Sequence, residues 1–250
     1  MSDFNGSHAR SIPVGRADMS VDAGLRSFML GVYNKMGLGL LLSAALAWVT
    51  SSYAPVTELL YRETASGRIA PTGLGMIIAF APLGILLFSA LAMRNASPRS
   101  AGIIYWSVVS LIGASLGIVL LTYTGASVTS TFLITATAFG ALSLFGYTTK
   151  KDLTGLGTFL IMGVIGLLLA MVVNMFLQSG MMAFIISGAG VLIFAGLTAY
   201  DTQRLKMTYY ELGGDRAALG VATSYGALSL YLDFINLFQF LLAFLGVRRD

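Results

Sequence analysis

Two aspartates carry the chemistry that this chain offers. Asp233 is the only charged side chain between Ala217 and Val247, and it stands near the middle of that run. A stretch of that length and apolarity reads as a transmembrane helix, because about 20 residues cross the hydrocarbon core. A carboxylate near the centre costs roughly 2.5–3.5 kcal/mol on insertion scales, so it must face a protein interior or a water cavity. Asp201 closes the preceding apolar run at Ala199-Tyr200-Asp201. Two carboxylates brought together in a low dielectric cannot both ionise cheaply, and they then share a proton. Deprotonated, they present the oxygen ligands that a hard cation such as Ca²⁺ prefers, and the pair is a candidate for weak, transient Ca²⁺ binding.

The elements that must position this pair are membrane helices. Hydrophobic residues make up 56% of the 250-residue chain and charged residues 10%, with a mean hydropathy of +0.82. Soluble domains carry about 25% charged residues, so the composition is that of an all-α polytopic membrane protein. Its 29 glycines suit closely packed membrane helices. The absence of cysteine removes disulfide and thiol chemistry, and the single histidine, His8, excludes a His-rich metal site. A net charge of +4 with the basic residues spread over loops argues for membrane topology and against nucleic acid as a partner.

Charge-free runs measure the spans. Met36–Thr57 and Ile69–Met93 each fit one helix, and Ala217–Val247 fits the last. Ser100–Thr149 holds two helices around the turn Tyr123-Thr124-Gly125-Ala126-Ser127, and Leu153–Tyr200 holds two around Gln178-Ser179-Gly180. The spacing predicts seven helices at about 30–53, 73–93, 102–122, 128–147, 155–177, 181–203 and 218–246, with loops at 54–72 and 204–217. Residues 30–250 then form one transmembrane domain. Residues 1–29 lack the apolar core of a signal peptide and read as a flexible cytoplasmic tail.

The basic residues set the orientation. Arg10, Arg16, Arg26, Lys35, Arg94, Arg99, Lys150, Lys151, Arg204, Lys206 and Arg216 fall on one side, and Arg62, Arg68, Arg248 and Arg249 on the other. Eleven against four places the amino terminus in the cytoplasm. Seven spans put the carboxyl terminus outside, although Arg248-Arg249 pulls the other way and leaves a re-entrant last segment as the alternative.

On the last helix Gly226, Ser229, Asp233 and Asn236 share one face, and Gln239 extends the stripe. A polar stripe in lipid must be covered, so this helix belongs inside the bundle. Ser229, Asn236 and Gln239 read as interhelical hydrogen-bond glue, while an ionised Asp233 needs a partner or a proton. Asp201 has two readings, a pair with Arg204 on its own helix or a share in the Asp233 site. Ideal antiparallel geometry separates the two aspartates, because Asp233 lies about 22 Å into its helix and Asp201 near the loop. They meet only if the last helix begins late or the cytoplasmic mouth dips inward.

These residues resemble the Bax inhibitor-1 family of multispanning membrane proteins, in its bacterial branch. Ala227-Leu228-Ser229-Leu230-Tyr231-Leu232-Asp233-Phe234-Ile235-Asn236-Leu237-Phe238 is similar to the family's last-helix signature, and Tyr200-Asp201-Thr202-Gln203 to its sixth-helix motif. Lys150-Lys151-Asp152-Leu153 and Met93-Arg94 resemble the loop between its fourth and fifth helices and the end of its second. The resemblance implies a seven-transmembrane-helix bundle with the last helix central, and an Asp201–Asp233 pair that shares a proton. It also implies a pH-sensitive calcium leak of the cell's inner (cytoplasmic) membrane, latched by Arg94 on the sixth-helix aspartate. A second family role is modulation of another membrane complex, such as a membrane-anchored ATP-dependent protease; the chain would then be a non-conducting protein that binds a membrane-protein partner.

Two enzyme-like readings fail. An intramembrane aspartyl protease needs Gly-x-Gly-Asp around its second aspartate, whereas Leu230-Tyr231-Leu232 precedes Asp233. A retinal protein needs a lysine in the last helix, and Lys35, Lys150, Lys151 and Lys206 lie elsewhere. The expectation is a protein that is not an enzyme and carries no cofactor, with Ca²⁺ as the transported ion.

Overall fold

The computed structural model describes residues 23–64, 67–92 and 96–249. The chain forms α1 (Ala23–Ser52), α2 (Ala54–Leu60), the antiparallel pair β1 (Tyr61–Glu63) and β2 (Ile69–Pro71), then α3 (Gly73–Ala92), α4 (Pro98–Ser115) and α5 (Gly117–Thr122). It continues with α6 (Gly125–Thr148), α7 (Thr154–Leu177), α8 (Gly180–Glu211) and α9 (Arg216–Leu245). With α4 and α5 taken as one crossing, six helical stretches are long and apolar enough to span a bilayer, and Gly73–Ser89 of α3 is a shorter apolar one. The 20 residues of α3 reach about 30 Å, the thickness of the hydrocarbon core. The fold is an all-α polytopic bundle built on seven crossings.

α1 begins at Ala23, ahead of the boundary at 30 read from charge spacing. Leu25, Phe28, Met29, Val32 and Met36 recur at helical spacing and are all buried, so apolar packing extends the helix across Arg26. The expected loop 54–72 folds as well, into α2 and the two-stranded hairpin, turned at Gly67 with φ +72°. The third crossing breaks at Leu116. The Tyr61 hydroxyl donates to the carbonyls of Ala114 and Ser115 at 2.9 and 3.2 Å, and the Thr50 hydroxyl donates to Ala114 at 3.1 Å. Carbonyls released by the break are thus satisfied inside the bundle.

α9 is the hub. It packs on α8, α1, α4 and α6, and half of its span is buried, against 17–33% for the other long spans. Leu228, Leu230, Tyr231, Phe234, Ile235, Leu237 and Phe238 are buried on successive sides of it. By contrast α7 presents Phe159, Ile165, Leu168, Val172 and Phe176 outward, the apolar exterior that lipid solvates.

The expected end of the sixth span at 203 moves to Glu211. Leu205 and Lys206 are buried and Tyr209 stacks at 5.6 Å from Phe28, so the chain keeps packing as a helix past Arg204. The turn to α9 is then short. Gly213 and Gly214 take φ of +57° and +90°, and Asp215 caps α9 by accepting from the backbone of Ala217 and Ala218.

The last helix is one continuous stretch of 30 residues, long and apolar enough to cross a bilayer without a re-entrant turn. Its end is clasped to the α5–α6 turn: Thr124 N–H donates to Val247 O at 3.0 Å, Arg249 N–H to Thr122 O at 2.9 Å, and Val247 N–H to Ser127 Oγ at 3.0 Å. The carboxyl-terminal segment therefore shares a face with that turn and with β1–β2, here the hairpin face. Lys150, Lys151, Arg204 and Arg216 mark the opposite, basic face. Site-specific reporters at 151 and 213 should indicate one compartment, and reporters at 67, 125 and 249 the other. A reporter at 249 in the compartment of 151 would break the seven-crossing arrangement.

Candidate functional site

α8 and α9 run antiparallel in close contact, and their register places the pair. Leu205 lies against Gly226, Asp201 against Ser229, and Phe240 against Gly190. The Ser229 hydroxyl donates to Asp201 Oδ2, and Arg204 Nη1 stands 3.7 Å from Asp201 Oδ1 on the same helix. Asp201 thus has the Arg204 contact on its own helix, and its hydrogen-bond partner on α9 is Ser229. Asp233 sits one turn further along α9 from Ser229, about 6 Å, within electrostatic reach of Asp201 and Arg204. The separation foreseen from ideal geometry disappears because α8 extends past 203, which sets Asp201 well inside the helix pair.

Asp233 is 4% exposed and Asp201 8%. The Arg204 side chain is 61% exposed, so its charge is shared with water and is a weak partner. Asp233 Oδ2 is buried with no hydrogen-bond partner among the described residues. A buried, uncompensated carboxylate oxygen is costly.

The segment around Asp201 is held on every side. Gly146 admits the Ala199 carbonyl, and Gly157 admits the Tyr200 ring, where a Cβ would collide with either. Thr202 Oγ1 and Ser143 Oγ share a 2.9 Å hydrogen bond, and Ser143 shares another of 2.5 Å with Tyr33. Gln203 Nε2 donates to Lys151 O at 2.7 Å while its Oε1 accepts from Leu153 N at 2.8 Å. Lys206 Nζ donates to Tyr147 O at 2.9 Å, near the end of α6, where carbonyls lack intrahelical donors. In the adjoining loop the hydroxyl and amide of Thr154 hold the exposed Asp152 carboxyl below its usual range.

Sequence reasoning singled out Tyr200-Asp201-Thr202-Gln203 and Lys150-Lys151-Asp152-Leu153 as separate motifs. The Gln203 amide joins them. Lys206, counted only as a basic loop residue, is instead a buried contact between α8 and α6. Arg94 lies outside the described residues. Of the polar seam, Ser229 is an interhelical bond, as the glue reading expects. Asn236 and Gln239 are not: Asn236 Nδ2 donates to Leu232 O on its own helix at 2.8 Å, and Gln239 makes no side-chain hydrogen bond among the described residues.

Among the described residues no three His, Cys, Asp or Glu side chains cluster as a metal site. Two carboxylates and the Ser229 hydroxyl offer fewer oxygens than the six to eight of a tight Ca²⁺ site.

The family profile described as "Inhibitor of apoptosis-promoting Bax1" matches residues 25–250. An uncharacterized protein of Caulobacter vibrioides is 64% identical over the whole of both chains. Protein RP147 of Rickettsia prowazekii is 42% identical over 97% of this chain and 99% of its own. The inner membrane protein YbhL of Escherichia coli is 42% identical over 91% of this chain and 94% of its own.

The Gln203 bridge generates a stability prediction. Gln203→Ala removes two hydrogen bonds and should cost about 1–2 kcal/mol, read as a lowered thermal midpoint in detergent. Gln203→Glu keeps the acceptor for Leu153 and loses the donor to Lys151, and should fall between. A wild-type midpoint for the alanine variant would mean that this amide does not hold the loop.

Proposed function

The chain belongs to the Bax inhibitor-1 family, and on that premise we propose that it is a pH-sensitive cation leak of the inner membrane, with Ca²⁺ as the ion and its amino terminus in the cytoplasm. The observation that carries this reading is the Asp233 carboxylate, buried in the hub helix beside Asp201 with one oxygen unpartnered. Interhelical glue would hold a neighbour's donor, whereas Asp233 makes no side-chain hydrogen bond among the described residues. A carboxylate so placed at the centre of a bundle is suited to gaining and losing a proton or a cation.

The mechanism follows from the charges. With one proton between them, Asp201 and Asp233 carry a single negative charge, which Ser229 and Arg204 partly offset. Loss of that proton sets two like charges a turn apart between tightly packed helices. Repulsion then favours an arrangement with α8 and α9 further apart, or a cation between the carboxylates. Opening the pair thus admits the ion that restores charge balance. No covalent step is involved, so the protein acts as a conduit and not as an enzyme. Arg94, the latch implied by the family resemblance, belongs to the same reading as a cation that competes for Asp201.

Purified protein in liposomes, with a calcium indicator inside, tests this directly. Flux should vary with pH as the pair titrates. Asp201→Asn and Asp233→Asn should each flatten the response, and the double variant should add little, because both remove one shared proton site. Additive effects would show that the aspartates act separately. Absence of flux at every pH would overturn the leak and leave the non-conducting role, a protein that docks on another membrane complex.

A further inference from the structure

Asn236 and Gln239 are the two seam residues that no neighbouring helix satisfies. Asn236 donates one amide proton to Leu232 O and its Oδ1 has no partner among the described residues, where Gln239 likewise is exposed with its whole carboxamide unpaired. Both residues line two cavities. One, of about 400 Å³, lies between α3, the β1–β2 hairpin, α4–α5 and α9, with Pro82 and Leu116 among its walls. The other, of about 480 Å³, lies between α7, α8 and α9, with Asn174 on its far wall. The hub helix is therefore sheathed on its basic-face half and flanked by cavities on its hairpin-face half.

An amide that meets hydrocarbon without a hydrogen-bond partner costs several kcal/mol. The positions form a stair. Gln239 lies about two turns inside the hairpin-face end of α9, Asn236 a turn deeper, and Asp233 a turn deeper again, at roughly 4.5 Å per step. The geometry points to a water-filled vestibule on the hairpin face, floored by Gln239 and Asn236, which brings water and cations to within one turn of Asp233. Its amide oxygens replace part of a cation's hydration shell, and its apolar walls keep the remaining water few. This inference rests on the leak reading for the identity of the ion alone; the water stands or falls on its own.

The chain contains no cysteine, so single-cysteine variants of the full protein report accessibility without a background. In proteoliposomes, Gln239→Cys and Asn236→Cys should react with a membrane-impermeant thiol reagent applied to the hairpin face. Val172→Cys and Leu168→Cys, at comparable distances from the hairpin-face end of α7 and facing lipid, are the controls. Thiolates form where water solvates them, so Gln239→Cys should react within about tenfold of Arg68→Cys on the hairpin, and the controls about a hundredfold more slowly. Gln239→Cys as slow as Val172→Cys would overturn the vestibule, whether or not the protein conducts. Labelling without any wild-type flux would keep the vestibule and sink the leak reading. Full modification of Gln239→Cys by a cationic reagent should lower Ca²⁺ flux; unchanged flux would overturn its role as the ion's entrance.

Discussion

The constraint on which the rest depends is a carboxylate at the middle of the innermost helix. Lipid will not solvate Asp233, so every element near it is arranged as a substitute for water or as a barrier against hydrocarbon. α9 is wrapped by α8, α1, α4 and α6, and its own Leu and Phe side chains are buried against them. The price is a helix whose two halves have different neighbours. Around Asp201 and Ser229 it is packed so closely that a Cβ at Gly226 would meet the Leu205 methyls. Beyond Asp233 it borders cavities.

Much of this was legible in the charge pattern. Apolar runs bounded by charges gave seven crossings within a few residues, because desolvating Lys, Arg, Asp or Glu in lipid is too costly to allow many exceptions. The last helix declared itself as the hub through its polar stripe. What misled was applying the same ruler at Arg204. A charge ends a span only where it must leave the protein interior, and here α8 continues through Arg204 and the buried Lys206 because Leu205 and Tyr209 still have partners. That continuation is what brings Asp201 level with Ser229. The same error set the start of α1 too late at Arg26.

The polar contacts were less legible than the helices. Tyr33, Ser143 and Thr202 converge from three helices while Gln203 reaches the 151–153 loop, and the separation in sequence between Gln203 and Lys151 hides their hydrogen bond. Composition offers no signal for such a bond; only the juxtaposition of two motifs hints at it. Lys35 makes the same point. It stands inside α1, donating to Ser224 on α9 at 2.6 Å and lying 5.2 Å over the Tyr105 ring on α4. Charge counting only grouped it with the amino-terminal basic residues. Its long apolar stem lets the ammonium meet a hydroxyl and an aromatic face where no carboxylate is needed.

These contacts explain why the two sides of Asp233 should behave differently. Toward the basic face, helix positions are tied by hydrogen bonds whose loss is felt directly: Lys35 to Ser224, Ser229 to Asp201, Gln203 to the 151–153 loop, Lys206 to Tyr147. Toward the hairpin face, the polar ties of α9 lie at its tip, in the clasp of residues 247–249 on Thr122, Thr124 and Ser127, while Phe240 stacks on Phe194 of α8. α9 is thus gripped on one side of Asp233 and borders cavities on the other, and a packed interface yields less than one beside a cavity. The asymmetry is written in the order of small and polar residues along one helix: Ser224, Gly226 and Ser229 where it is gripped, Asn236 and Gln239 where it borders the cavities.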